Sequence, residues 1–267
     1  MTCEFTQTGS SAMIKSILIT GGGSGIGAAL ATTLAERGCN VVISGRRQSS
    51  LDAIAQTSSN IAAHAGDVTD SADQDVLVAA LAALPAPRAL FHAAGYFQLG
   101  HLDELPASEW QRSFETNVTA RWTLSCKCVS LLEGGRLLFI GSDSGANPRA
   151  GAAAYSVAQS ASETLRRALQ IEWADKNIAI TGFKPGLVDT DMVRGFLSKS
   201  EAEFPARAAY QAYLDRGQIS TPDSIAAFAA WLLLVVDAQR FTSTDWDIRT
   251  PNHHPEWLKG NLYAGPS

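Results

Sequence analysis

Residues 17–30 read ILITGGGSGIGAAL, and the reading of this stretch decides the fold. A short β-rich run, Ile17 to Ile19, enters a cluster of glycines at 21, 22, 23, 25 and 27, and an Ala/Leu-rich helix leaves it. Glycine in such a place allows a sharp strand-to-helix turn, lets a phosphate approach the backbone, and packs helix against strand. The helix beginning near Gly25 directs free N–H groups and the positive end of its dipole at whatever lies above the strand, and a pyrophosphate is the natural occupant. A merely flexible glycine loop would lack the strand before it and the helix after it.

Outward from this turn, apolar strand-like runs alternate with helical ones, the pattern of a parallel sheet covered on both faces. Strands are predicted near Lys15–Thr20, Asn40–Gly45, Ile61–Ala65, Ala89–His92, Arg136–Gly141, Ile178–Phe183 and Ser243–Ile248. Helices are predicted near Gly25–Arg37, Ser49–Thr57, Ser71–Leu84, Ala107–Leu132, Ala153–Ala174 and Pro222–Val236. Gly38 suits the C-terminal stop of the first helix and Pro222 the first turn of the last. The segment Asp191–Ser220 breaks the alternation, as a substrate lid does. With no repeat or linker, the expectation is a disordered tail over 1–12 and one domain over 13–267, of which 249–267 form a C-terminal tail.

The chain has 267 residues, 46% of them hydrophobic, enough for one sizeable α/β core. Its net charge of -5 argues against nucleic acid or an anionic membrane as a partner. The longest apolar run, around Ile225–Val236, is too short to span a bilayer, and the first dozen residues lack the basic start and apolar run of a signal peptide. Cys3, Cys39, Cys126 and Cys128 are too few and ill-spaced for a disulfide framework, so reduced thiols in a cytoplasm are expected. The adjacent His253 and His254 lack a further ligand at metal-binding spacing, and no metal is expected.

The spacing of the glycine turn is Thr20-Gly21-x-x-x-Gly25-Ile26-Gly27. Together with Asn117 in FETNVTA, Ser142 ending FIGS, Tyr155 beyond it and Pro185-Gly186 later on, it resembles the short-chain dehydrogenase/reductase family over about Met13 to Ile248. The resemblance implies a doubly wound, Rossmann-type parallel sheet of about seven strands in the order 3-2-1-4-5-6-7 with helices on both faces. It implies a nicotinamide dinucleotide across the C-terminal strand ends, held by Gly21, Ser24, Gly25, Ile26 and Gly27, by Asp67 and Val68 near the adenine, and by Ala93, Ala94 and Gly95 at close backbone approach. Pro185, Gly186, Val188 and Thr190 belong to the loop that holds the nicotinamide carboxamide in relatives. His92 and Ala93 stand where relatives carry two asparagines that brace the sheet, and a lone His92 reads as a core residue.

The second strand ends Ser44-Gly45-Arg46-Arg47. An acidic side chain here grips the adenosine ribose 2′-OH, whereas arginine accommodates a 2′-phosphate, so Arg46 and Arg47 point to NADP(H). Tyr155 is implied as proton donor, Ser142 as a hydrogen-bond donor to a carbonyl oxygen, and Asn117 as the residue that bends its helix and holds a water. One residue departs from the family: Gln159 stands one helical turn after Tyr155, where relatives carry a lysine. Glutamine can still hydrogen-bond ribose hydroxyls, but it cannot lower the tyrosine pKa from its reference near ~10. Carbonyl reduction, which needs neutral tyrosine, suffers less than alcohol oxidation. Lys184, just before Pro185, offers a second position from which an amine could reach the site.

The expected function is an NADP(H)-dependent oxidoreductase acting on a small-molecule carbonyl/alcohol pair, chiefly as a reductase. The alternative is a catalytically impaired NADPH-binding regulatory or scaffold protein. Met192, Val193, Phe196, Leu197, Tyr96, Phe97 and Trp122 are candidate walls of the substrate pocket. The C-terminal tail is expected across the substrate mouth or at a subunit contact. Pairing through Ala107–Leu132 and Ala153–Ala174, as in relatives, implies a homodimer or homotetramer.

Overall fold

A computed structural model describes residues 13–263; the tail expected over 1–12 and the last residues of the C-terminal tail lie outside the described residues. Seven parallel strands form one sheet: β1 (Ser16–Thr20), β2 (Asn40–Gly45), β3 (Ile61–Ala65), β4 (Arg88–His92), β5 (Arg136–Ile140), β6 (Ala179–Lys184) and β7 (Trp246–Asp247), ordered β3-β2-β1-β4-β5-β6-β7. This is the expected order.

The alternation within each strand builds two cores. Ile17 and Ile19 of β1, Val41 and Ile43 of β2, and Ala89 and Phe91 of β4 face one cluster, while Leu18, Val42 and Leu90 between them face the other. Strands apolar on both sides must be covered on both sides. The helices α1 (Gly25–Glu36), α2 (Gln48–Ala55) and α9 (Pro222–Leu234) contribute to the first core through Leu30, Leu34, Leu51, Phe228 and Trp231. α3 (Ser71–Ala82), α5 (Ala120–Cys128) and α6 (Ala153–Glu172) supply Leu77, Leu81, Leu124 and Leu169 to the second. Gly38 ends the first helix at φ +81°, its N–H donating to the Ala35 carbonyl at 3.0 Å. Thr221 caps α9, with Pro222 in its first turn. Arg136, buried in β5, reaches across to donate to the Leu232 and Val236 carbonyls at the far end of α9.

Two expectations need correcting. The single helix over Ala107–Leu132 is divided: α4 (Ala107–Phe114) passes through a π-helical turn, Glu115–Thr119, into α5, and a 3₁₀ turn over Val129–Leu132 follows. The last strand keeps only Trp246 and Asp247, because Ser243 closes the short helix α10 (Ala238–Ser243).

The excursion after β6 folds into α7 (Asp191–Leu197) and α8 (Arg207–Asp215), which enclose a small core of their own around Ala152, Val193, Phe196 and Phe204. The tail turns into α11 (His254–Trp257) and packs back on α9. Trp257 Nε1–H donates to His253 Nδ1 at 2.9 Å, so Nε2 bears the proton and donates to the Asp247 carbonyl at 3.0 Å. His254 likewise bonds the Ile248 carbonyl at 2.7 Å. Both rings pin the tail to the sheet edge.

Candidate active site

A cavity of about 1170 Å³ runs along the C-terminal ends of the central strands. The glycine turn forms its floor. Gly21 sits at φ +71°, and a Cβ on it would stand 2.8 Å from the Ala94 nitrogen. A Cβ on Gly27 would meet the Gly21 carbonyl oxygen at 2.3 Å, so α1 can lie this close to β1 only without a side chain there. Ser24 caps α1 in extended geometry but its hydroxyl makes no capping bond, leaving the helix N-terminus open towards the cavity.

Thr20 braces the neighbouring strand end, its hydroxyl accepting from the Ala93 and Ala94 N–H groups at 3.2 and 3.1 Å. His92 is buried, with Nε2 2.8 Å from the Ser125 hydroxyl. Burial, with the Arg121 charge beside it, holds its pKa well below the usual value, so it stays neutral in the core, as expected.

At the adenosine end, Arg46 and Arg47 are exposed at the cavity rim and form no ion pair among the described residues. Asp67 accepts from the N–H and hydroxyl of Thr69 at 3.0 and 2.8 Å. Partial burial pushes its pKa up, but these bonds and the charge of Arg46 more than offset it, leaving the carboxyl below its usual range.

The opposite end gathers Ser142, Tyr155 and Gln159. Ser142 leaves β5 and caps a short 3₁₀ turn, its hydroxyl accepting from the Ser144 N–H at 3.2 Å. Gly145 lets this turn lie on α6, since a Cβ there would stand 3.1 Å from the Ser160 nitrogen. Tyr155, in the first turn of α6, faces Ser142 and stands edge-on to Phe97 with centroids 4.8 Å apart. Burial pushes the phenol pKa up; the Ser142 hydroxyl and the charge of Arg121 oppose the shift without cancelling it. Gln159 is buried one turn further on, and its Oε1 has no hydrogen-bond partner among the described residues. A buried acceptor left open beside a cavity calls for a donor from what occupies it.

Of the residues singled out in the sequence, Gly21, Ser24, Gly25, Ile26, Gly27, Arg46, Arg47, Asp67, Val68, Ala93, Ala94, Gly95, Ser142, Tyr155, Gln159, Pro185, Gly186, Val188 and Thr190 all line this one cavity. Asn117 does not. It sits behind the wall in the π turn, its amide donating to the Tyr96 carbonyl at 2.8 Å and accepting from the Tyr96 N–H at 3.0 Å. Thr190 lines the cavity while its hydroxyl also caps α7. Met192, Val193, Phe196, Tyr96 and Phe97 form walls as expected; Leu197 packs in the small core behind them, and Trp122 is half exposed on the outer face of α5. Lys184 turns away, its amine 3.7 Å from Asp245 at the sheet edge, and does not line the cavity. From the tail, Tyr263 reaches the cavity.

Arg121, Arg149 and Tyr210 also line the cavity and were not foreseen. For Arg121 there was a signal: it lies four residues after Asn117, on the inward face of the same helix.

The glycine cradle, the open helix end and the unpartnered Gln159 oxygen suit a dinucleotide. The comparisons with known proteins agree. The family model described as short chain dehydrogenase matches residues 15–201. A cyclic-di-GMP-binding biofilm dispersal mediator protein of Escherichia coli (strain K12) is 32% identical over 82% of this chain and 89% of its own length. The 2,3-dihydro-2,3-dihydroxybenzoate dehydrogenase of the same organism is 31% identical over 71% of this chain and 75% of its own. Among solved structures, a putative NAD(P)-dependent gluconate 5-dehydrogenase from Beutenbergia cavernae, with bound NADP at low occupancy, superposes with a TM-score of 0.73 at 25% identity, covering 90% of this chain and 97% of that one. The chain belongs to the short-chain dehydrogenases, a family of oxidoreductases that bind a nicotinamide cofactor.

Proposed function

We propose that the protein is an NADP(H)-dependent reductase of a small-molecule carbonyl, with Tyr155 as proton donor. The observation that carries this reading is the pairing of Tyr155 with Ser142 in one cavity whose other end carries two arginines with no ion pair among the described residues. The glycine turn and the N-terminus of α1 would hold the pyrophosphate, Arg46 and Arg47 the 2′-phosphate, Asp67 the adenine amino group, Gln159 the nicotinamide ribose, and the Pro185–Thr190 loop the carboxamide. A reduced dinucleotide held there would supply the hydride for a carbonyl carbon. Tyr155, kept neutral by its environment, gives its proton to the carbonyl oxygen while the Ser142 hydroxyl supports the developing charge. Asn117 holds the Gly95–Tyr96 wall in place through the Tyr96 backbone.

Phe97, Phe196 and Tyr210 beside Tyr155 favour an apolar, planar substrate, and Arg149, stacked 5.2 Å over the Tyr210 ring, favours one bearing an anionic group. Free thiols at Cys39, Cys126 and Cys128 support a reducing compartment such as the cytoplasm. No helix among the described residues is long and apolar enough to cross a membrane. Assembly through α5 and α6 into a homodimer or homotetramer is supported by Trp122, Val157 and Ile171, exposed on those helices. The alternative of a non-catalytic scaffold draws no support from a cavity in which Ser142 and Tyr155 remain together. The test is NADPH consumption with a panel of ketones, diketones and quinones. Turnover by the parent, abolished in Tyr155→Phe with NADPH binding retained, supports the reading; tight binding without turnover on any of them overturns it.

A further inference from the structure

Arg121 carries a positive charge into the interior with no carboxylate among the described residues to meet it. The residue is 3% exposed. Its Nη1 donates to the Ile140 carbonyl at 3.0 Å and the Ser162 hydroxyl at 2.9 Å, and its Nη2 to the Ala94 carbonyl at 3.2 Å. Its Nε has no acceptor, and the side chain forms no ion pair among the described residues. Cations this deep are ordinarily matched by an anion, because desolvation of an unmatched charge costs several kcal/mol.

The position of the guanidinium suggests which anion it awaits. Tyr155, Gln159 and Ser162 follow one another along a single face of α6, and Arg121 is anchored to the last of them while lining the same cavity as the first two. Desolvation lowers the guanidinium pKa only to about 10, so it remains charged at neutral pH. Around the Tyr155 phenol stand Arg121 from α5, the Ser142 hydroxyl from the loop after β5, the Phe97 ring and, from α8, the Tyr210 phenol. Nearby on the walls, Asp143 is taken up by Arg249, and Arg149 stacks on Tyr210. His92, whose pKa burial and the Arg121 charge hold well below the usual value, adds no second cation. Arg121 is thus the cation with access to the phenol from within the protein.

We propose that Arg121 is a positioning residue that favours the Tyr155 phenolate left when the O–H bond of Tyr155 breaks and its proton goes to the carbonyl oxygen, taking over the charge of the lysine that Gln159 replaces. The proposal rests on the reading of Tyr155 as proton donor. The phenolate is neutralised afterwards by a proton from solvent, so no further reactant is required.

Arg121 also ties the ends of β4 and β5 to α6, and a purely bracing role must be told apart from an electrostatic one. The measurement is an alkaline spectrophotometric titration of the cofactor-free protein, with the Tyr155 component isolated by subtraction of Tyr155→Phe. In Arg121→Met the Tyr155 ionisation moves up by about one unit or more. In Arg121→Lys it stays close to the parent, and in the double variant Arg121→Met/Gln159→Lys it returns towards it. The pH profile of alcohol oxidation moves with it. Arg121→Gln, which keeps an amide to serve the Ile140 carbonyl, replaces the methionine variant if that one does not fold. A folded neutral variant whose Tyr155 titration is unmoved, or an Arg121→Lys that moves as far as the neutral ones, overturns the proposal. Loss of turnover in Tyr155→Phe tests the donor assignment separately, since the titration needs no bound cofactor.

Discussion

Tyr155 and Gln159 are one helical turn apart, and in the proposed reductase they would set the direction in which the chemistry runs best. A phenol whose pKa lies above the usual value is almost wholly protonated at neutral pH, which suits an acid and starves a base. Reduction should therefore hold its rate from pH 6 to 9 and fall only as pH rises through the tyrosine ionisation. Oxidation should gain roughly tenfold per pH unit between about 7 and 9, following the phenolate fraction. Steady-state rates in both directions with one ketone–alcohol pair check this; an oxidation rate flat over that range would be the wrong sign. Gln159→Lys adds a second cation beside the phenol and should raise oxidation at pH 8 by about tenfold, while reduction changes only a few-fold. Ser142, Tyr155 and Gln159, which line one cavity, stood out in the sequence because their types and order carry the family resemblance. Arg121 was missed because a basic residue on a helix ordinarily marks a solvated face, although its place four residues after the buried Asn117 hinted at an inward one.

At the scale of the element, the π turn in the helix before β5 explains why Asn117 is where it is. One extra residue in the turn lets the helix carry a buried amide to the Tyr96 backbone, which has no other strand or helix to pair with there. Sequence periodicity predicted one continuous helix over Ala107–Leu132, since a single inserted residue barely disturbs the apolar pattern; the poor helix-former Asn117 was the one sign of the interruption. The glycine turn is the opposite case, with each contact of Gly21 and Gly27 implied by the residue type. Asn117→Ala leaves the Tyr96 N–H and C=O without partners and should cost about 2 kcal/mol. Denaturant unfolding measures the loss, and reduction kinetics should show a raised KM as the Gly95–Tyr96 wall loosens. A variant as stable as the parent would mean that solvent replaces both bonds.

Over the whole molecule, charge and apolar surface are both unevenly spread. The chain bears a net charge of -5, yet the cavity is lined by Arg46, Arg47, Arg112, Arg121, Arg149 and Arg249 against the carboxylates Asp67, Glu115, Asp143 and Asp191, a local excess of positive charge for an anionic ligand. The double variant Arg46→Ser/Arg47→Ser should weaken NADPH binding by about ten- to a hundred-fold while leaving NADH within a few-fold, since charge-assisted bonds to phosphate are worth roughly 1.5–3 kcal/mol. Calorimetry with both dinucleotides checks it, and an equal loss for the two would remove the case for a 2′-phosphate site. On the outer side, Ile171 is 77% exposed, Trp122 50% and Val157 43%. Val157 and Ile171 are fourteen residues apart on α6, close to four full turns, and so share one stripe. Large apolar side chains repeated along adjacent helices are placed to meet a second copy of the same face, in the self-complementary manner of a two-fold dimer. Light scattering should give the parent at least twice the 28.3 kDa chain mass. Trp122→Glu/Ile171→Glu, which brings like charges together across such a contact, should yield a folded monomer. If the variant keeps the parent's mass, assembly uses another surface; if the parent is itself monomeric, these side chains face solvent and the dimer is withdrawn.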